Sequence, residues 1–360
     1  MDKLVFIPAY KPDERLTKLV QELCRDYNVL VVDDGSGGDF DGVFEDASEF
    51  ATVLRYEKNR GKGGALKYGY SKIPELFPEA DFIITADADG QHTPEDISKV
   101  AARVHETGGL VIGSREFTGK VPARSAFGNS VTRLVFRLAS GVKVRDTQTG
   151  LRAFGKEYLK EFSELKGDRY EYEMTQLMYC AEKKIPISEV GIETIYENDN
   201  ESSHFNPIKD SFKIYKIIYL NSYFLKAVTS SMLAFLIDFI IAHICQFFIF
   251  KTDPISGNGF LATVISSYSL SMTIAWVVSS FINFIVNKKW VFRSDKNFAK
   301  AFFGFYALAT PIFILKAFVL TPILKGNSFS FTLTYIIVNI VMYFLNYIIQ
   351  KKFIFKNKES

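Results

Sequence analysis

The sequence predicts an α/β domain with a mainly parallel sheet and helices on both faces, followed by an all-α domain of four transmembrane helices. Three observations carry that expectation. Short apolar runs alternate with amphipathic stretches over residues 1–206, the pattern of strand-helix-strand units with right-handed crossovers. Beyond residue 222 the charged, mixed composition gives way to four long apolar stretches, about 223–250, 260–286, 301–323 and 329–349. Each is long enough for the ~20 residues that a membrane helix needs. Between the halves, residues 207–222 place Ile208, Phe212, Tyr215, Ile218 and Tyr219 on one helical face, with Lys209, Lys213 and Lys216 beside it. That is the composition of a helix lying along an anionic membrane surface. The expected units are therefore 1–206, 207–222 and 223–360.

Along the chain, residues 3–8 read as a first strand ending in Pro8-Ala9-Tyr10, and Leu16, Leu19, Val20 and Leu23 then show helical spacing. Residues 29–32 form a second strand that runs into Asp33-Asp34-Gly35-Ser36. Two carboxylates and a flexible glycine at the carboxyl end of a parallel strand read as a ligand loop, since that edge is where open α/β sheets bind ligands. A third strand, 51–56, precedes Asn59-Arg60-Gly61-Lys62-Gly63-Gly64, which opens a helix. Glycines at a helix N-terminus, with Arg60 and Lys62 beside them, suit an anionic diphosphate. The order of residues is not that of a Walker P-loop.

The fourth strand, residues 82–86, stops at Asp87 and Asp89, followed by Gln91 and His92. Two carboxylates so close repel each other unless a positive charge lies between them. Hard oxygen ligands favour Mg²⁺ or Mn²⁺, with Gln91 or His92 completing the shell. Thr93 and Pro94 then read as the cap and first position of the next helix. A fifth strand, 109–113, ends in Ser114-Arg115, and the following basic stretch includes Arg124. Asp146-Thr-Gln-Thr-Gly-Leu-Arg152 places a carboxylate before a glycine turn and a short strand, which would set Asp146 beside the same edge. Glu171 and Glu173 open a later helix, where acidic side chains are favourable in any case.

The net charge of +3 is too small to argue for nucleic acid. The three cysteines are widely spaced and suit a reducing compartment. Lysines and arginines collect after the second and fourth apolar stretches, which by the positive-inside rule places the head, the middle loop and the C-terminus in the cytoplasm. No signal peptide is expected before the first strand. The second and fourth stretches end alike, in Asn283-Phe-Ile-Val-Asn-Lys-Lys-Trp-Val-Phe292 and Asn346-Tyr-Ile-Ile-Gln-Lys-Lys-Phe-Ile-Phe355, which implies two hairpins of similar design.

Taken in order, Pro8-Ala-Tyr10, Val32-Asp-Asp-Gly-Ser36, Asn59-Arg-Gly-Lys-Gly-Gly-Ala65, Ala86-Asp-Ala-Asp-Gly-Gln-His92, Gly113-Ser-Arg115 and Asp146-Thr-Gln-Thr-Gly-Leu-Arg152 resemble the family-2 glycosyltransferases. The nearest subgroup is the one that glycosylates polyprenyl phosphates, and the apolar tail resembles a GtrA-like membrane domain. The resemblance implies a Rossmann-like GT-A domain at a multi-pass plasma-membrane protein. It implies an inverting transfer of one sugar from a UDP-glucose or GDP-mannose type donor to undecaprenyl or dolichyl phosphate. Pro8, Tyr10, Asp33, Asp34, Lys62 and Asp87 would bind the nucleotide-sugar, and Asp87, Asp89 and Gln91 the metal. Arg115 and Arg124 would grip the acceptor phosphate, and Asp87, Asp89, Asp146 and Arg115 would form the catalytic set.

The family usually reads Pro-Ala-Tyr-Asn-Glu, whereas Lys11-Pro12 follow Tyr10 here, leaving Asp13 or Glu14 to stand for the glutamate. A processive polysaccharide synthase is the rival enzyme, and its Gln-x-x-Arg-Trp motif is missing from the sequence. A lipid-sugar transporter or scaffold whose head only binds nucleotide-sugar is the rival of another class, against which the intact Asp87-Ala-Asp89 speaks. Membrane lipids are expected partners, and association into a homo-oligomer is left open.

Overall fold

The computed structural model describes residues 2–115, 123–193, 208–250, 267–314 and 343–355. They group into two compact units, Met1–Ser222 and Tyr223–Ser360.

In the first unit the chain runs β1 (Asp2–Ala9), α1 (Glu14–Leu23), β2 (Asn28–Asp33), α2 (Asp41–Ser48), β3 (Thr52–Arg55), α3 (Lys62–Leu76), β4 (Ala80–Thr85), α4 (Pro94–Thr107) and β5 (Leu110–Arg115). It continues through α5 (Ala123–Ser140), β6 (Arg152–Gly155), α6 (Leu159–Glu164), α7 (Glu171–Lys183), β7 (Ile187–Ile192) and α8 (Lys209–Asn221). The strands form one sheet in the order β3-β2-β1-β4-β6-β5-β7.

Alternation along β1 sets the layers. Val5 and Ile7 face a core shared with Leu16, Val20, Ile97 and Val100 of α1 and α4. Phe6 points to the other face, where it meets Tyr70 edge-on at 5.6 Å. The approach of α3 to that ring requires Gly69, because a Cβ there would fall within 3 Å of Phe6 ring atoms. α1 begins at Asp13, whose carboxylate accepts from the Arg15 amide, and α4 begins at Thr93 with Pro94 in its first turn.

Two features of the sheet create its functional edge. The order reverses at β1, which has β2 on one side and β4 on the other, so the crevice of a topological switch point lies between β1 and β4. The β1–β4 register ends at Phe6 and Thr85, and Pro8, which has no N–H to give, falls where that ladder has already stopped. β6 runs antiparallel to both β4 and β5, while the other pairings are parallel, so the sheet is mainly parallel as expected. An antiparallel strand starts at the edge where its parallel neighbours end, so β6 delivers residues 146–151 to the carboxyl edge. No sequence pattern marks β7, because its residues are only half-buried apart from Ile192 and lack a clean period-2 alternation.

α8 packs Ile214 and Ile218 inward, with the Tyr215 and Thr132 hydroxyls 3.2 Å apart. Ile208 and Phe212, expected on the same face as Ile218, are 81% and 70% exposed.

The second unit contains α9 (Tyr223–Ile244), α10 (Ser267–Val286) and α11 (Phe298–Ile314). Among the described residues, one helix, Tyr223–Ile249, is long and apolar enough to cross a membrane, with mean hydropathy 2.2 over its most apolar window. The third expected span is described as far as Ile314 and the fourth only from residue 343. The two similar endings form matching π-helical turns, Asn287–Val291 and Gln350–Ile354. Asn287 Nδ2 donates to Gln350 Oε1 at 3.0 Å, so equivalent positions of the two endings bond to each other. Around them Phe284, Phe292, Phe305 and Phe355 form the packed core.

Candidate active site

The ends of β1 and β2 are tied into one rigid rim. The Asp34 amide donates to Ala9 O at 2.8 Å, and the Lys11 amide donates to Ser36 Oγ at 2.8 Å. Lys11 adopts φ of 52°, a left-handed turn that carries the chain from Tyr10 over to this loop. Asp33 accepts from the Ser36 amide at 2.8 Å and from Arg55 Nε at 3.0 Å. Asp34 accepts from Tyr56 Oη at 2.6 Å, Asn59 Nδ2 at 3.0 Å and the Arg60 amide at 2.7 Å. Both carboxylates are buried and hold the loop that follows β2 against the one that precedes α3.

At the end of β4, Asp87 Oδ1 lies 2.5 Å from Lys62 Nζ, and the same ammonium lies 2.7 Å from Glu173 Oε1. One lysine from the start of α3 is thus shared by carboxylates from the turn after β4 and from the first turn of α7. Burial alone would raise the Asp87 carboxyl, but Lys62 and His92 outweigh it and hold it far below the usual carboxylate range. For Lys62 burial works downward, and Asp87 and Glu173 together lift it above its ordinary value. Asp89 is raised instead, first by burial and then by the neighbouring Asp87 charge. The Gln91 amide donates to Asp89 Oδ1 at 3.1 Å. His92 Nε2 stands 3.4 Å from Asp87 Oδ2, yet neither buried ring nitrogen makes a hydrogen bond.

The loop before β6 closes over this pair. Thr85 Oγ1 donates to Gly150 O at 2.9 Å, and a Cβ on Gly150 would fall 2.5 Å from both Asp87 oxygens and 2.6 Å from Lys62 Nζ. Asp146, fully buried, takes Arg115 in a two-pronged contact, Nε to Oδ2 at 2.6 Å and Nη2 to Oδ1 at 3.1 Å. The Gln148 amide donates to Asp146 Oδ1 at 3.0 Å. The structure therefore brings Pro8, Asp33, Asp34, Lys62, Asp87, Asp89, Arg115 and Asp146 to one edge. Tyr10 follows β1 at the same rim. The side chain of Arg124 lies outside the described residues.

The glycines at the start of α3 are packed against protein rather than open to a ligand. The Gly64 amide donates to Asp168 O at 2.9 Å, and a Cβ on Gly61 or Gly63 would strike Asp168 O, Arg169 or Tyr172. Gly61 also needs its φ of 85°. Their smallness lets the 168–172 segment press against the start of α3, and that approach delivers Glu173 to Lys62.

Comparison with known proteins agrees with this geometry. Residues 4–162 match the family described as Glycosyl transferase family 2, and residues 228–355 match the GtrA/DPMS transmembrane domain. The chain is 34% identical over 240 residues to the UDP-N-acetylglucosamine–dolichyl-phosphate N-acetylglucosaminyltransferase of Methanococcus voltae, covering 59% of this chain and 94% of that one. The chain belongs to glycosyl transferase family 2. It is also 25% identical to a dolichyl-phosphate beta-glucosyltransferase of Dictyostelium discoideum, over 59% of this chain and 72% of the other. A polyprenol monophosphomannose synthase of Mycolicibacterium smegmatis is 31% identical over 44% of this chain and 63% of its own length.

As a family-2 glycosyltransferase with a GT-A sheet and a GtrA-type membrane domain, the protein is a membrane enzyme. Its sequence motifs name most of the edge but miss Glu173, whose place in an acidic first helical turn looks ordinary. They also miss Glu189, which accepts from the Arg145 amide at 2.7 Å and steadies the start of the Asp146 loop from β7. No local pattern marks either residue, because each acts on a partner more than 40 positions away.

Proposed function

We propose that this glycosyltransferase is an inverting enzyme that moves one sugar from a nucleotide diphosphate donor to a polyprenyl monophosphate at the cytoplasmic membrane face. The observation that carries the reading is the half-buried Lys62–Asp87 pair, 2.5 Å apart at the crevice between β1 and β4. It is supported by relatives in three organisms, two of them dolichyl-phosphate sugar transferases and the third a polyprenol monophosphomannose synthase.

Pro8, Tyr10, Asp33 and Asp34 form the rim on which the base would rest, with Lys62 beside the diphosphate. Asp87 and Asp89, with Gln91, would hold Mg²⁺ or Mn²⁺. The donor chemistry fits: two carboxylates stand one residue apart, and a buried imidazole beside them has no hydrogen bond. An ion of this kind takes its remaining ligands from water and phosphates. Such an ion would neutralise the departing diphosphate.

An acceptor phosphate is already anionic, so no proton need be removed before attack. One of its oxygens bonds to the anomeric carbon as the bond from that carbon to the diphosphate oxygen breaks. Catalysis then rests on positioning and on fixed charge at the leaving group. Arg115, with Arg124, would grip the acceptor phosphate, and Asp146 holds the Arg115 guanidinium in one orientation. Ile208 and Phe212 on α8, with Lys209, Lys213 and Lys216, would rest on the anionic lipid surface where that phosphate emerges.

Donor profiling tests the reading: UDP- and GDP-sugars are each paired with undecaprenyl and dolichyl phosphate, using full-length protein in detergent. One donor should yield a lipid-linked sugar, and sugar release without any lipid product would reject it. The orientation is tested with a Lys300→Cys variant in intact cells, where labelling by an impermeant maleimide would place the middle loop outside.

A further inference from the structure

Lys62 lies between two carboxylates of different kinds. Asp87 sits at the mouth of the crevice on the turn that carries Asp89, whereas Glu173 belongs to the first turn of α7 and is anchored from behind. Its backbone oxygen takes Arg152 Nη1 at 2.8 Å, and Arg152 is itself buried and bonded to Gln176 Oε1 at 2.8 Å. Gly61 and Gly63 let the 168–172 segment come this close, so the start of α3 is shaped to admit this contact. The sharing has a chemical consequence. While Asp87 holds an ammonium at 2.5 Å, it cannot offer the same oxygen to a cation of its own, and Lys62 cannot turn to an anion unless a second carboxylate retains it nearby.

We propose that Glu173 is a positioning residue for the donor site: it is the second holder of Lys62, to which the ammonium moves when a divalent cation takes Asp87, leaving Lys62 directed at the donor diphosphate. The inference rests on the reading of Asp87 as a metal ligand. In the ion-free state Lys62 satisfies the half-buried Asp87 and keeps the buried Glu173 carboxylate from being left unpaired. On loading, the exchange is between ion pairs, with no bond broken and no net charge stranded. Glu173 therefore acts on metal uptake through Lys62 rather than by touching the ion.

Mn²⁺ binding to the full-length protein, measured by the loss of free-ion paramagnetic resonance signal without nucleotide or lipid, provides the test. Glu173→Gln should weaken Mn²⁺ uptake by about tenfold, the scale on which supporting partners tune metal sites, because Lys62 then has only Asp87 to hold. Lys62→Met should tighten uptake by removing the competitor. In the double variant the Glu173 effect should vanish, giving the Lys62→Met value.

Additive effects would overturn the inference, since Glu173 would then act by bulk charge alone. If Asp87→Asn abolishes Mn²⁺ binding while the two substitutions are additive, the metal reading survives and only this inference falls. If the unaltered protein takes up no Mn²⁺, both fall. Thermal unfolding checks each variant, and should Lys62→Met not fold, Glu173→Asp replaces it. That variant keeps the charge and should recover most of the affinity lost by Glu173→Gln, and equal loss in both overturns the proposal.

Discussion

Arg115 and Asp146 hold each other by two parallel contacts, 2.6 and 3.1 Å, across 31 residues of chain. A guanidinium fixed in this way loses little freedom when it meets a phosphate. Asp146→Asn should leave donor binding nearly unchanged and lower kcat/KM for the lipid acceptor by roughly 10- to 100-fold, about 1.4–2.7 kcal/mol of transition-state stabilisation. Steady-state kinetics at varied acceptor concentration check this, and an equal loss of donor affinity would place Arg115 elsewhere in the reaction.

Gly150→Ala asks whether the Lys62–Asp87 geometry matters to chemistry more than to folding. The added methyl would overlap the ends of both side chains, which can move aside, so the fold should survive with only a small fall in unfolding temperature. The displaced pair should cost at least about tenfold in transfer, since small misplacements at a reacting centre are expensive. Calorimetry beside a transfer assay separates the two effects.

These two contacts also show what the sequence made legible. Asp87, Lys62, Arg115 and Asp146 stand at strand ends or helix starts within recognisable motifs, so elementary α/β topology places them on one edge before any coordinates are known. The glycines of residues 61–64 were legible as a site of close approach, but not what approaches: Asp168 is about a hundred positions away, and no local period reports it. Asp33 and Asp34 read as a ligand loop from their place at the carboxyl end of a parallel strand, but the contacts that Arg55, Tyr56 and Asn59 make with both carboxylates come from the next strand and the loop after it and leave no local pattern. In α8 the helical period was clear, but which side faces the head is decided by α5 and α7. Burial accordingly falls on Ile214 and Ile218 rather than on Ile208 and Phe212.

Neutralising Lys209, Lys213 and Lys216 together should weaken attachment to anionic bilayers by up to about 1 kcal/mol per charge. Apparent affinity for long polyprenyl phosphate in such bilayers should fall while nucleotide-sugar binding holds, and high salt should mimic the substitution. Vesicle co-sedimentation at two ionic strengths measures it. Equal loss of donor and acceptor affinity would assign these lysines to the packing of the head instead.

Cys180 on α7 is fully buried, and burial pushes its thiol from 9.0 up to about 12, with Arg152 pulling weakly the other way. A raised pKa means less thiolate at any given pH, and the thiolate is the reactive form. At pH 8.5 an alkylating reagent should therefore modify the partly exposed Cys24 and spare Cys180 until the head unfolds. Peptide mass mapping before and after denaturation reads this directly, and rapid native labelling of Cys180 would show that α7 opens.

The most direct test of the whole account is product analysis with purified full-length protein, its best nucleotide-sugar donor and a polyprenyl monophosphate. The account predicts one sugar on each lipid phosphate, one nucleoside diphosphate released per sugar, inverted anomeric configuration, and loss of all three with EDTA or in the folded Asp89→Ala variant. Full transfer in EDTA, growth of a polysaccharide chain, or nucleoside diphosphate release with no sugar on the lipid would contradict it.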